Sequence, residues 1–432
     1  MSRVSRFYSA RPVPAEHRSN FRHLYLDIAW YGLLAAGTLG FVGVYAARLG
    51  ATSFQVGLLS VGPAIANLIF ALPVGRWLER QKIDVAIFWA AVFHRALYLV
   101  WIFLPFFLGA QGQIWALVGL TLVMHIPGTA VAIGFNALFA EAVPPEWRGH
   151  VAGVRNALLS VAFIAISLIC GQILQRMDFP IGYQVVFVIG FVGAAMSTYH
   201  LWFIVPHRDG QKGSLAGRGL GKLVWRSGPA NRKTDRSAQA KQGHRLHLPR
   251  SEVLRGSYGK LIAVLFGFHL ALYLSIPLFP VHWVNNLGLT DGQIGLGTAV
   301  FYVSVFFGST QLSRLVQKIG NQHVTAIGAV FMASYPAWMA AADGPVLFLV
   351  GSACGGFGWS MAGGALANYL LEKIPGDDRP AYLAWYNLAI NAAVLLGSLI
   401  GPVVGRYVGI PAALFLGGAL RLVMAIVIWR WE

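Results

Sequence analysis

Charge is what this sequence has least of. Only 11% of its 432 residues are charged, while 56% are hydrophobic and the mean hydropathy is +0.61. A soluble domain carries about 25% charged residues. So little polar surface cannot cover a water-soluble globule, and lipid is the solvent for most of the chain. Cysteine is nearly absent as well. Cys170 and Cys354 lie on separate apolar segments and make neither a disulfide framework nor a metal pattern. No two histidines within the apolar segments have the helical spacing of metal ligands, so no metal and no cofactor are expected. No GxxxxGK[ST] loop occurs, which argues against an ATP-driven pump. No cleavable signal peptide is evident, because the first 23 residues are polar and basic and the first apolar run is too long for a signal core.

Long apolar runs are what the chain does have. A spanning helix needs about 20 mostly apolar residues. Twelve segments qualify: 24–47, 54–76, 84–108, 113–138, 151–174, 181–205, 258–284, 292–315, 323–342, 344–370, 381–404 and 409–431. Barrel strands alternate over about 10 residues, so these unbroken runs predict helices. The expected fold is an all-α integral membrane protein with two pseudo-symmetric six-helix bundles. Its parts are an N-terminal segment (1–23), a first bundle (24–206), a linker (207–257) and a second bundle (258–432). The linker is rich in Arg, Lys, Gly, Ser and Gln. It reads as a flexible tether whose basic residues are drawn to anionic headgroups.

The net charge of +17 would suggest nucleic acid in a soluble protein. Its placement argues otherwise. On a twelve-helix path, 28 of the 33 Lys and Arg fall on one side, only Arg48, Arg176 and Arg406 on the other, and Arg95 and Arg421 inside helices. Positive loops stay cytoplasmic, so both termini are expected in the cytoplasm and the chain in the cell membrane, without nucleic acid as a partner.

The sequence also contains the same loop twice. Leu49-Gly50-Ala51-Thr52-Ser53-Phe54-Gln55-Val56-Gly57 returns 238 positions later as Leu287-Gly288-Leu289-Thr290-Asp291-Gly292-Gln293-Ile294-Gly295. Arg76 and Arg80 meet Arg314 and Lys318 at the same offset. A second echo, offset by 231, joins Glu141, Pro144, Glu146, Arg148 and Asn156 to Glu372, Pro375, Asp377, Arg379 and Asn387. Such a duplication places a binding site where the halves meet.

Two six-helix halves, a basic central loop and inward termini resemble the major facilitator superfamily of secondary transporters. The loop after the second segment carries three places of that family's signature, Gly75, Glu79 and Arg80, with Lys82 where a second Gly is usual. Its symmetric partner has Ser313, Gln317, Lys318 and Gly320. The loop from Glu141 to Gly149 is also similar. The antiporter signature on helix 5 is absent, since Gly171 is followed by Gln172. The resemblance implies a cytoplasmic gate drawn from Gly75, Glu79, Arg80, Glu141, Arg148, Arg314, Lys318, Glu372 and Arg379. Within it Glu79, Arg80, Glu141 and Arg148 are expected to act as a latch. The alternative is ordinary helix-end charge that anchors the loops.

In the resembled fold, helices 1, 4, 7 and 10 line a central cavity. Ionisable groups at that depth are costly and mark function by default. Asp27, with Trp30 and Tyr31 beside it, is the candidate for proton coupling; the alternative is a carboxylate paired with Arg22 or Arg95. His125 and His269 can bind substrate, pass protons, or serve only as packing residues. Arg95 would favour an anionic substrate if it reached the cavity. Tyr273 and Trp359 complete the candidate set, and Asn67, Asn391, Tyr302 and Trp385 are further polar and aromatic candidates. The expected function is transport of a small organic molecule by alternating access, by symport or antiport, with export favoured over uptake. Facilitated diffusion, uptake of sugars, organic acids or lipids, a transporter-like receptor or scramblase, and a membrane-embedded lipid enzyme are the alternatives. No nucleophile–base or metal cluster supports the last, so no enzyme activity is expected. Expected partners are the substrate, protons and lipid headgroups, and the chain is expected to act as a monomer.

Overall fold

Twelve helices and the short turns between them make up the computed structural model. It describes residues 17–206, 254, 256–374 and 379–430, without the side chains of 379–381. Most of the basic linker, the gate position Arg379 as a side chain, and any contact they make with lipid headgroups lie outside the described residues. Among the described residues there is no strand. The helices are α1 (Arg18–Arg48), α2 (Ser53–Glu79), α3 (Ile83–Phe107), α4 (Ala110–Ala142), α5 (Pro145–Arg176) and α6 (Ile181–Trp202) in the first half. The second half has α7 (Ser257–Asn286), α8 (291–319), α9 (321–341), α10 (Pro345–Glu372), α11 (Arg379–Val408) and α12 (Ile410–Arg430). Within the continuous stretch Asp291–Ala341, Gly320 at φ 80° ends α8 and starts α9. A side chain is strained at that angle, so glycine lets the chain turn in one residue.

Several helices outrun their apolar spans. α1 begins at Arg18 rather than 24 because Asn20 and Phe21 are buried. The Asn20 side-chain amide donates to the carbonyls of Ala142 (3.2 Å) and Val205 (2.8 Å), which ties the ends of α4 and α6 to α1. α5 begins at Pro145 rather than 151. Arg155, which hydropathy leaves near a loop, therefore sits ten residues inside a helix.

The duplication is visible in atomic detail. Thr52 and Thr290 both close capping boxes with Gln55 and Gln293 at the starts of α2 and α8. In each, the Thr amide donates to the Gln side chain at 2.9 Å and the Gln amide to the Thr hydroxyl at 3.3 Å. The halves meet along two seams, α2 with α11 and α5 with α8. Gly57 lies against the Ser398 carbonyl on the first, and Gly295 against the Ser167 carbonyl on the second. A Cβ at either glycine would collide with that oxygen. The two glycines are 238 positions apart and the two serines 231, the offsets read from the loops.

The face where α1 starts is called proximal here, and the opposite face distal. The distal core runs through both halves: Phe41, Val44, Tyr45, Tyr183 and Phe187 share a cluster with Leu278, Phe279, Leu289 and Ile294. A smaller distal cluster joins Ala47 and Val56 to Val281. Proximal cores stay separate. Phe21, Leu24, Leu138 and Leu201 belong to the first half, and Tyr258, Leu261, Tyr369 and Ile428 to the second. The halves are thus fused distally and part toward the proximal face.

Candidate functional site

Asp27 is 3% exposed, in the proximal third of α1. A carboxylate buried so deeply needs partners. Arg155 of α5 supplies one, with its Nη1 3.0 Å from Oδ2. The same nitrogen donates to the Leu24 carbonyl at 2.5 Å, and the guanidinium lies 4.7 Å from the centre of the Phe135 ring on α4. Ser197 of α6 supplies the other partner, its hydroxyl donating to Oδ1 at 2.5 Å. Asp27 therefore pairs with neither Arg22 nor Arg95.

Arg95 lies close by on α3. Its Nη1 donates to the Thr198 hydroxyl at 2.9 Å and to the Ala194 carbonyl at 3.5 Å, and its guanidinium sits 5.8 Å from the Tyr31 ring centre. It is 7% exposed, enclosed between α1, α3 and α6. The condition for Arg95 to select an anionic substrate, access to the cavity, is not met. One carboxylate and two guanidinium groups thus gather inside the first half. Arg155, Ser197 and Thr198 are the members that sequence reasoning missed. A charged residue one turn into an apolar segment, at a distance of 128 positions from its partner, was the only signal.

The histidines fall into separate places. His125 donates Nδ1–H to the Thr121 carbonyl at 2.7 Å and His269 to that of Leu265 at 2.8 Å. Carbonyls only accept, so both rings carry the Nδ1 proton and leave Nε2 available. His125 neighbours His94 across α3 and α4, with ring centres 5.3 Å apart. His269 faces Tyr386 of α11 edge-on at 6.3 Å. Tyr273 packs against Gly397 on α11, Trp30 turns its carbonyl toward Gly193 on α6, and Trp359 is half exposed on α10. These candidates form no single cluster with Asp27.

The two seams differ toward mid-depth. On α2–α11, Asn67 donates to Asn391 at 3.3 Å and accepts from Thr129 at 3.1 Å. On α5–α8, Phe163 and Tyr302 stack with ring centres 3.9 Å apart and planes at 14°. One wall between the halves is polar, the other aromatic.

The distal face carries an ion pair across the halves. Arg48, at the end of α1, binds Asp291 at 3.2 Å and donates to the Leu289 carbonyl at 2.7 Å. The Tyr183 hydroxyl donates to the same carboxylate at 2.9 Å. The crevice beside them, about 190 Å³, is lined also by Met177, Asp178 and Phe179. The symmetry-related positions are Ser53 and Asn286, so the second seam end has no such pair.

At the proximal face the gate residues are solvated. Arg76, Glu79, Arg80, Glu141, Arg314 and Lys318 are exposed, and no side chain approaches Gly75. Arg148 donates to the carbonyls of Ala140 (2.7 Å) and Val143 (3.2 Å), capping the end of α4. Glu372 accepts from Asn321 at 2.6 Å. With the proximal ends apart, no two of these charges pair among the described residues.

A profile of the Major Facilitator Superfamily matches residues 28–245 and 261–432. The chain belongs to this superfamily. It is a multi-pass membrane protein of a transporter fold. Over 166 residues it is 24% identical to the quinolone resistance protein NorA of Staphylococcus aureus, a match that spans 38% of this chain and 42% of that protein. The solved D-xylose–proton symporter superposes with a TM-score of 0.69 at 16% identity, over 96% of this chain and 97% of that one. The nucleoside transporter NupG gives 0.63 at 13%, over 97% and 100%. A bacterial homologue of the iron transporter ferroportin, solved in its inward-facing state, gives 0.67 at 15%, over 95% and 98%. At these identities the structures share the fold alone.

Proposed function

We propose that this chain exports a small organic molecule from the cell by alternating access, with Asp27 as the proton-coupling group. The observation that supports the cycle is the contrast between one distal core common to both halves and two separate proximal cores. A rocking motion about the Gly57–Ser398 and Gly295–Ser167 contacts would exchange that arrangement for its opposite. The bias of positive loops supports a cytoplasmic proximal face, on which reading the state described faces inward.

Coupling rests on the Asp27 geometry. Protonating the carboxylate removes the charge that holds Arg155 and so loosens α1 from α5. When the proximal ends close, the latch of Glu79, Arg80, Glu141 and Arg148 forms. Export is supported by the partial match to a quinolone resistance protein, and a quinolone is the first probe to use. In vesicles with an imposed pH gradient, quinolone movement and opposing proton movement should appear together, and Asp27→Asn should abolish the link. Movement of a sugar or nucleoside instead would replace the substrate and leave the cycle standing.

A second reading follows from the same contacts. The carboxylate is fully partnered, so the pair can serve as a permanent brace in an uncoupled carrier. In that case Asp27→Asn lowers stability while flux stays insensitive to the pH gradient.

A further inference from the structure

On the α1–α6 seam, one turn to the proximal side of Asp27 and Ser197, two imidazoles face each other. His23 is four residues before Asp27, and His200 three after Ser197. Their Nδ1 atoms are 3.0 Å apart and their ring centres 5.2 Å. At that distance one ring must donate and the other accept, so the pair shares a proton. His23 is partly exposed toward the proximal face, while His200 is buried. Phe203 stacks on His23 at 4.9 Å, and Tyr199 meets His200 edge-on at 5.3 Å. The charged groups acting on the pair are Arg22 on α1 and, for His200, the Asp27 carboxylate. Arg95 lies beside the seam, its donors turned to Thr198 and Ala194 of α6.

Other contacts also hold α1 on α6. Gly193 and Gly190 already seat that helix against Leu33 and Thr38. What the pair adds is a group that can take a proton from proximal water and pass it inward. From these placements we infer that His23 and His200 deliver protons to Asp27 along the α1–α6 seam, rather than through the space between the halves. The inference rests on the reading of Asp27 as the coupling group. A proton from water adds to the His23 ring, and the shared Nδ1 proton shifts to His200. His200 releases a proton toward the Ser197 hydroxyl, which hands its own to Asp27 Oδ1. The carboxylate becomes a carboxylic acid, its bond to Arg155 loses the anion, and no electron changes hands.

The test needs no transport substrate. Purified full-length protein is subjected to a downward pH jump, and protonation of Asp27 is followed by its infrared carboxyl band, assigned by its loss in Asp27→Asn. His200→Gln and His23→Gln should each slow the appearance of the band by about tenfold or more. The endpoint should remain, and added imidazole should restore the rate. Thermal melting checks that each variant folds, and His200→Asn stands in if the glutamine does not. Unchanged rates in both variants overturn the relay and put the proton path between the halves. A wild-type protein without a titrating Asp27 band overturns the coupling reading itself, and the relay with it.

Discussion

The buried charges sort themselves by what answers them. Asp27 and Arg155 answer each other, and removing one side of a buried pair leaves the other uncompensated at a cost of about 3–5 kcal/mol. Arg155→Met should therefore lower thermal stability by more than the Asp27→Asn/Arg155→Met double variant does, as measured by melting in detergent. Equal losses would mean that the two side chains act independently. Arg421 presents the opposite case. It is 1% exposed on α12 and is held by backbone carbonyls alone, at Met332 (2.5 Å), Ala271 (3.3 Å) and Leu272 (3.3 Å). Its guanidinium ties α12 to α7 and α9, as Arg95 ties α3 to α6. Arg421→Leu removes the donor to all three carbonyls and leaves that of Met332 without a helical amide, since Pro336 stands four residues on; an unsatisfied buried carbonyl costs about 1–3 kcal/mol. The melting temperature should fall with no change in which face is open, and an unchanged melt would refute the tie.

At the scale of helices, much of the arrangement is legible in the sequence. The capping-box residues Thr52 and Gln55, with their copies Thr290 and Gln293, were plain in the repeated loop. The 231-residue echo extends to Ser167 and Ser398, which face the repeated glycines across the seams. Spacing carried that information because duplicated backbones keep their close approaches. Asp27 was marked as costly, yet its partner was hidden. Hydropathy weighs only the apolar part of a helix, whereas α5 starts six residues before that part and carries Arg155 inward. The histidines were visible as residues, but their dispersal was not, since helix rotation decides which seam each one faces. The matched glycines make a paired prediction. Gly57→Ala and Gly295→Ala each push a methyl into a serine carbonyl, and both should increase labelling of cysteines introduced on the distal face by similar factors. An effect at one glycine alone would show that the seams do not carry the motion equally.

Between the halves, the charged contact among the described residues is at the distal face. Arg48 and Asp291 are partly solvated, with side chains 27% and 12% exposed. Such a pair contributes about 0.5–1 kcal/mol, a two- to fivefold shift in population. Arg48→Gln and Asp291→Asn should each raise the distally open fraction by about that factor, read from spin-label distances across the halves, while the Arg48→Asp/Asp291→Arg exchange should restore it. On the other face, Arg80→Ala and Arg148→Ala should slow transport and enrich the state described here. If both leave rates and populations unchanged, the latch does not exist.

The Arg48–Asp291 bridge has no twin, because the repeat places Ser53 and Asn286 where its mirror would stand. Raising ionic strength on the distal side screens this bridge, and the mirror position at the other seam offers none to screen. Of the two seams, one is therefore salt-sensitive at its distal end and the other is not, although both carry the same repeated loop.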